Sequence, residues 1–534
     1  MLGFLKFSLI AAIALGLGWL VFFYDWDALL HGLGVVGLEL LWTIAKYVGI
    51  YGGGALAVYL IYRFIRERRT KSYHRQMDSL KGMTNKASSA HGSADFANTS
   101  DLQRFGLLGA DEGFVLGKFN EQFMVLPYSK PGHLITFAPT RSGKGVGQVI
   151  PNLLTHTGSV VVNDIKGENF AVTGRHRANF SKVYRFAPFE DDSDCFNPID
   201  FIRVGTDDEM DDANLIADMI VPMENSDDPF WDREAKNLVT GLIMFVATSA
   251  PPALRNMSEV RFLLMQNTKD FDVTIKKMQE SENAFVKRVA NSFTATEAKV
   301  RASIISTAKS KTAIWDSPKL GRVTAKSDFT MEDIKKEVIS LYIVIPPEQL
   351  SNYKPVVRLM VGLATTAMTR LKQKPAKPVL FLIDEFPALG HMEPIESGIG
   401  YLAGYGVVLW MFIQDLNQLR DIYERWGTFI SNCSVRVAFG TNDIDTAKTL
   451  SEMLGTTTIK VESEGSEKKG MFSLSSGPTS VNRSETARAL MTPDEVMRLP
   501  HDSQLVFVQG CKPIVAEKIF YFKDPAFAGM FDSW

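Results

Sequence analysis

Apolar positions in this chain gather into short runs, and most of these runs are continuous rather than alternating. They fall at 133–137, 159–163, 181–187, 338–345, 379–383, 407–413, 434–439 and 504–509, and they are rich in β-branched and aromatic residues. Strands covered on both faces read this way, whereas half-solvated strands alternate. Helical patterns lie between the runs, so the pattern predicts an α/β fold around a parallel sheet. Between Asp200 and about Phe329 the rhythm stops. There Asp228-Pro229 reads as a helix cap, and Ala235, Leu238, Val239, Leu242, Phe245 and Val246 form one stripe at helical spacing. Further helical patterns from Phe285 to Thr312 make this stretch an all-helical insertion. Residues 455–488 are rich in Ser, Thr, Glu and Lys and read as a hairpin or a mobile loop.

The N-terminal pattern differs in kind. Leu5 to Phe23 is apolar but for Lys6, and a second apolar stretch runs from Leu40 to Tyr62. Each is long enough for a bilayer core of about 30 Å. Arg63, Arg66, Arg68, Arg69, Lys71 and Arg75 follow the second stretch, whereas the connecting loop carries Asp25, Asp27 and Glu39. The basic side faces the cytoplasm, so two spans (about 5–23 and 40–62) with both termini cytoplasmic are expected. A cleaved signal peptide fits poorly, because Tyr-Asp-Trp follows the first run without a small-residue cleavage site. A hairpin of buried core helices is the soluble alternative. Residues 76–100, polar and rich in Ser, Ala and Gly, read as a linker.

Charge adds one exclusion. Residues 1–75 hold eight Lys/Arg against four Asp/Glu; with −2 for the whole chain, the remainder carries −6. A mildly acidic body argues against a broadly basic surface that coats nucleic acid, so any such contact must be local. Cys195, Cys433 and Cys511 lack metal-ligand spacing and suit reduced thiols used for packing. The eight histidines include no H-E-x-x-H, which removes a membrane-anchored metalloprotease.

Two segments carry candidate chemistry. The run His133–Phe137 leads through Ala138 and Pro139 to Thr140-Arg141-Ser142-Gly143-Lys144-Gly145-Val146. A strand, a Gly turn, a lysine and a helix start make a phosphate site: amides at the helix N-terminus face the anion, and Lys144 meets the β/γ-phosphates. The match to G-x-x-x-x-G-K-[ST] departs at Ala138, in place of the first Gly, and at Gly145, in place of the Mg²⁺-binding hydroxyl. By itself the segment could be an ordinary strand-turn-helix connection. Downstream, Pro378-Val-Leu-Phe-Leu-Ile ends in Asp384-Glu385. The carboxyl end of a buried parallel strand is where α/β sheets collect ligand chemistry. Asp384 is a candidate Mg²⁺ holder, directly or through water, and Glu385 a candidate to polarise the attacking water. Together the two segments favour ATP hydrolysis.

Ordered motifs along the chain resemble TraG-type coupling proteins of type IV secretion and conjugation systems. They are Gly92-Ser93-Ala94, the 140–145 loop, Asn163-Asp164-Ile-Lys166-Gly167-Glu168, Phe196-Asn197-Pro198, Phe230-Trp231, Asp384-Glu385-Phe386, Gln414-Asp415 and Leu490-Met-Thr492-Pro493-Asp494-Glu495-Val496. Gly145 in place of Ser/Thr is usual in that family. The resemblance implies a membrane anchor (1–75), a RecA-like nucleotide-binding domain (76–200 and 330–534) and an all-α domain (201–329). It further implies a homo-hexameric inner-membrane ATPase using ATP and Mg²⁺, with Gln414 sensing the γ-phosphate. Such a ring delivers relaxase-bound single-stranded DNA, effector proteins or both to the channel components of a type IV secretion system.

One family feature is missing. Some members carry an arginine before the Gln strand that reaches a neighbouring subunit, and Leu402-Ala403-Gly404-Tyr405-Gly406 has no basic residue. Arg141, Arg420 and Arg436 are the substitutes to test. Two other functions compete. An FtsK-like DNA translocase would be expected to add a DNA-reading module after the last strand, where Trp534 leaves no room. A non-hydrolytic docking receptor is disfavoured by the intact Lys144, Asp384 and Glu385.

Overall fold

In the computed structural model, residues 88–130, 132–222, 229–465 and 480–534 are described. Thirteen strands occur among them: β1 Gly113–Phe119, β2 Gln122–Pro127, β3 His133–Phe137, β4 Val160–Asp164, β5 Lys182–Phe186, β6 Ile339–Val344, β7 Val379–Ile383, β8 Val407–Ile413, β9 Cys433–Ala438, β10 Thr456–Gly465, β11 Ser480–Ala489, β12 Ser503–Val508 and β13 Ile514–Glu517. Eleven form one sheet in the order β2-β1-β13-β12-β9-β3-β8-β7-β4-β6-β5. Neighbours from β9 to β5 run parallel. The other half, β12, β13, β1 and β2, is antiparallel.

All eight apolar runs are strands, and seven of them form the parallel part of the sheet; the expectation fails for 504–509 and for the strands outside these runs. The run at 504–509 became β12, antiparallel to β9. Short connections explain the rest: β1 and β2 join through Asn120 and Glu121, both at positive φ, and a two-residue hairpin can only return antiparallel. Strands β3, β4, β6, β7 and β8 are buried at every position, as their unbroken apolar character requires. Edge strand β5 is half-exposed.

Helices α1 (Ile150–Thr155) and α2 (Glu168–Arg177) follow β3 and β4. Leu153 of α1 shares a core with Leu134, Val160, Leu382 and Trp410 of the sheet. No strand occurs between Phe186 and Ile339 among the described residues. This stretch holds α3 (Glu209–Ile220), α4 (Phe230–Ser249), α5 (Met257–Met265), α6 (Thr268–Gln279), α7 (Ala284–Ala295) and α8 (Ala298–Lys311). The expected stripe on α4 is inward: Ala235, Leu238, Val239, Leu242 and Val246 are buried. Pro229 takes the cap position of α4, one residue later than the sequence pattern suggests, and Asp228 lies outside the described residues. Asp212 of α3 is nearly inaccessible and pairs with Arg203 and with Arg370 at the end of α9 (Leu350–Arg370), tying α3 to α9.

The described residues of the polar stretch 455–488 pair as the two-stranded sheet β10–β11, in register from Thr456↔Ala489 to Gly465↔Ser480. Both expected membrane spans lie outside the described residues. Among those described, no helix is long and apolar enough to cross a membrane.

Candidate functional site

The phosphate-loop candidate lies at the carboxyl end of β3, between β8 and β9. Ala138 is buried in the core, and its N–H bonds the Ile413 carbonyl at the end of β8. Its methyl is packed, which explains why the first position tolerates a side chain. Pro139 is half-buried and Thr140 exposed. Arg141 adopts a left-handed φ of 63°, one of three non-glycine residues at positive φ among those described. Gly143, at φ 90°, is the position that demands glycine. The helix opens as one π-turn, Gly145–Val149, before α1. A Cβ at Gly145 would meet nothing within 4 Å, so the missing hydroxyl is a chemical choice and not a steric one.

Strand β7 lies two places from β3 and delivers Asp384 and Glu385 to the same edge. Lys144 Nζ stands 2.6 Å from the Asp384 carbonyl and 3.1 Å from Glu385 Oε2. Asp384 Oδ1 is 3.3 Å away, an ion-pair contact without hydrogen-bond alignment, and is otherwise buried and unpartnered. Burial works to lower the Lys144 pKa, but Asp384 and Glu385 outweigh it and hold the ammonium above the ordinary lysine value. Gln414, one step beyond β8, donates from Nε2 to Glu385 Oε1 at 3.4 Å. Thr140 Oγ1 donates to Gln414 Oε1 at 3.3 Å. Lys144, Asp384, Glu385, Gln414 and Thr140 thus form one connected polar cluster. Ser142, Gly143, Gly145 and Val146 complete the loop and helix start without touching the carboxylates through any side chain.

Two further groups belong to this neighbourhood, and sequence reasoning gave neither a role. Asp164, at the end of β4, has its pKa pushed up to about 6. Burial is the main cause, amide donors at Phe170 and Asn169 oppose it, and the charges of Asp384 and Glu168 add to it. Lys518 follows β13 and reaches behind the loop, with Nζ 3.2 Å from the Ser142 carbonyl. The sequence signal for Lys518 is a charge inside the apolar run Ile514–Ile519, but nothing local says what it meets.

The three substitute arginines separate clearly. Arg436 Nε donates to the Ile430 carbonyl, and Arg420 lies over the Trp426 ring at 4.6 Å. Arg141 is exposed, and its side chain forms no hydrogen bond or ion pair with a described residue. All three cysteines are free, with Cys195 and Cys433 buried, and burial raises the pKa of each thiol.

Fold and cluster define an α/β protein with a lysine-bearing loop facing two carboxylates across one sheet edge. The family described as "Type IV secretory system Conjugative DNA transfer" matches residues 85–531, and the chain belongs to that family as a TraG/TrwB-type coupling protein. It is 30% identical over 496 residues to the conjugal transfer protein TraG of Escherichia coli, covering 82% of this chain and 77% of that one. Protein VirD4 of Rhizobium radiobacter is 29% identical over 460 residues, covering 83% and 65%. In fold the chain resembles plasmid coupling protein TrwB, solved in complex with ADP and Mg²⁺: TM-score 0.60 at 18% identity, covering 81% of this chain and 96% of that one.

Proposed function

We propose that this coupling protein is an inner-membrane ATPase, assembled as a homo-hexamer, that drives relaxase-bound single-stranded DNA, effector proteins or both into a type IV secretion channel. The observation that carries the reading is the Lys144 ammonium held between Asp384 and Glu385 at the mouth of a glycine loop. Nothing about packing requires three charges there. A triphosphate bound to the loop amides would offer Lys144 a stronger partner, so the existing pairs act as placeholders for the ligand. The similarity to conjugal transfer and coupling proteins supports the transport role.

The residues suit Mg²⁺. Asp384 Oδ1 is buried without an aligned donor, a carboxylate oxygen available to a hard cation or its water. Bound there, Mg²⁺ would neutralise charge on the phosphates. Glu385 then orients the attacking water through the oxygen not used by Lys144. Gln414, bonded to that same oxygen and to Thr140, is set to feel the γ-phosphate and report its loss. Arg141 remains free to meet phosphate in the same subunit or in the next.

The test is Lys144→Ala in full-length protein, read by nucleotide binding, ATP turnover and substrate transfer. Loss of all three with an unchanged melting temperature is expected; normal transfer by this variant ends the motor reading.

A further inference from the structure

We propose that Lys518 is a positioning residue of the phosphate loop: its ammonium holds the Ser142 carbonyl from behind and so turns the Gly143 amide toward the nucleotide. This rests on the nucleotide-binding reading above. The peptide between Ser142 and Gly143 is trans, so its C=O and N–H point opposite ways. Lys518 Nζ lies 3.2 Å from the Ser142 oxygen, and the Gly143 N–H has no hydrogen-bond acceptor among the described residues. A phosphate oxygen is the acceptor that such an amide fits. Gly143 at φ 90° has no Cβ to pin this peptide, so something else must hold it.

The rest of the environment is built around the ammonium. Lys518 is 6% exposed, bonds the Phe439 carbonyl at 3.3 Å and lies 4.3 Å above the Phe439 ring. The opposite part of that contact is used too: Gly147, in the first helical turn, sits where a Cβ would be 3.2 Å from the Phe439 ring. Loop, helix start and Lys518 therefore share one aromatic platform.

Among the described residues, no carboxylate is hydrogen-bonded to this buried cation, whose hydrogen-bond partners are carbonyls. Asp502, on the turn before β12, acts on it only across space. The same turn carries His501, which stacks on Phe520, and the loop side carries Lys144 and Arg141. Burial pulls the Lys518 pKa down to about 8. A polyphosphate arriving on the far side of the loop favours the charged form, so binding and protonation reinforce one another. Affinity should be highest below pH 8 and fall as pH rises through it.

The experiment measures ADP affinity of full-length protein in detergent from pH 7 to 9.5, for wild type, Lys518→Met and Lys144→Ala. Met keeps the length of the side chain over Phe439 and removes the charge. The expected results are a decline of about tenfold across this range for wild type, and a roughly tenfold weaker, flat profile for Lys518→Met. Affinities are compared in the folded fraction, because Lys518→Met also leaves the Ser142 and Phe439 carbonyls without this donor. Wild-type affinity and an unchanged pH profile in Lys518→Met would overturn the proposal. If that variant fails to fold, a flat wild-type profile overturns it equally. Unaltered affinity in Lys144→Ala would instead remove the nucleotide site itself, so the two failures are distinct.

Discussion

The helix that runs from Gly145 to Thr155 has a cation at each end, and the two are held in opposite ways. Lys144 stands at the N-terminus, where the helix dipole favours anions, and is balanced by Asp384 and Glu385. It is a quarter exposed. Arg177, from α2, caps the C-terminal end and is fully buried. Its NH1 donates to the Leu153 and His156 carbonyls at 2.9 and 2.7 Å, its NH2 to Gly158 O at 2.7 Å, and its Nε to Ser340 Oγ at 2.6 Å. Carbonyls at a helix C-terminus are the right partners for a cation and cannot be exchanged for a ligand. Carboxylates beside a helix N-terminus can be. One end is therefore a structural cap and the other is a site whose partners are provisional.

The largest way to break this comparison is at the provisional end. Glu385→Gln keeps a hydrogen-bonding group near Lys144 but loses the charge proposed to orient water. ATP turnover should fall by about 10²–10³-fold with nucleotide affinity retained. Equal loss of both would make Glu385 a structural strand end.

At the capped end the effect should appear as stability instead. Arg177→Met leaves the Leu153, His156 and Gly158 carbonyls buried without their donor, costing about 3–5 kcal/mol. A lower melting temperature is expected, with unchanged affinity in the folded fraction. A selective loss of nucleotide binding would show that the two ends are coupled.

The pH dependence sharpens the same point. His156, at the end of α1, accepts or donates with Tyr128 Oη at 2.5 Å, and its pKa is pushed down to about 3. Burial is the main cause and the Arg177 charge adds to it. A histidine whose folded pKa lies below its unfolded value near 6.5 takes up a proton on unfolding. Stability is then lost as pH falls from about 6.5 toward 3, with a slope of up to about 1.4 kcal/mol per unit. His133, buried and lowered to about 4, has the same sign. Asp164 opposes both, because its raised pKa favours the folded state as pH falls from about 6 toward 4. Chemical denaturation at pH 4.5 and 7 should therefore show a smaller difference for His156→Gln than for wild type.

The smallest change is at Gln414. Its amide bridges Thr140 and Glu385 through contacts of 3.3 and 3.4 Å, long enough to shift when nucleotide binds. Gln414→Ala should cut turnover about tenfold and leave stability unchanged, measured by steady-state ATP hydrolysis.

What the sequence determined by itself was everything set by short-range pattern. Unbroken apolar runs marked the strands, because a strand covered on both faces is mostly apolar and keeps a polar residue, such as Thr136 or Ser340, where a partner satisfies it. Thr140–Val146 and Asp384-Glu385 stood out as candidates because phosphate and metal chemistry need particular residues at fixed local spacing, and the fold brings Lys144 of the first against both carboxylates of the second. Tertiary structure alone decided the order of strands distant in sequence: β1 lies beside β13, and β9 lies between β3 and β12, partners that no local pattern names. It also decided what the isolated cations would meet. Arg177 finds Gly158, and Lys518 finds Ser142 across 376 positions. A buried charge must be satisfied by whatever the fold brings within about 3 Å, and that is a property of packing, with no local pattern to announce it.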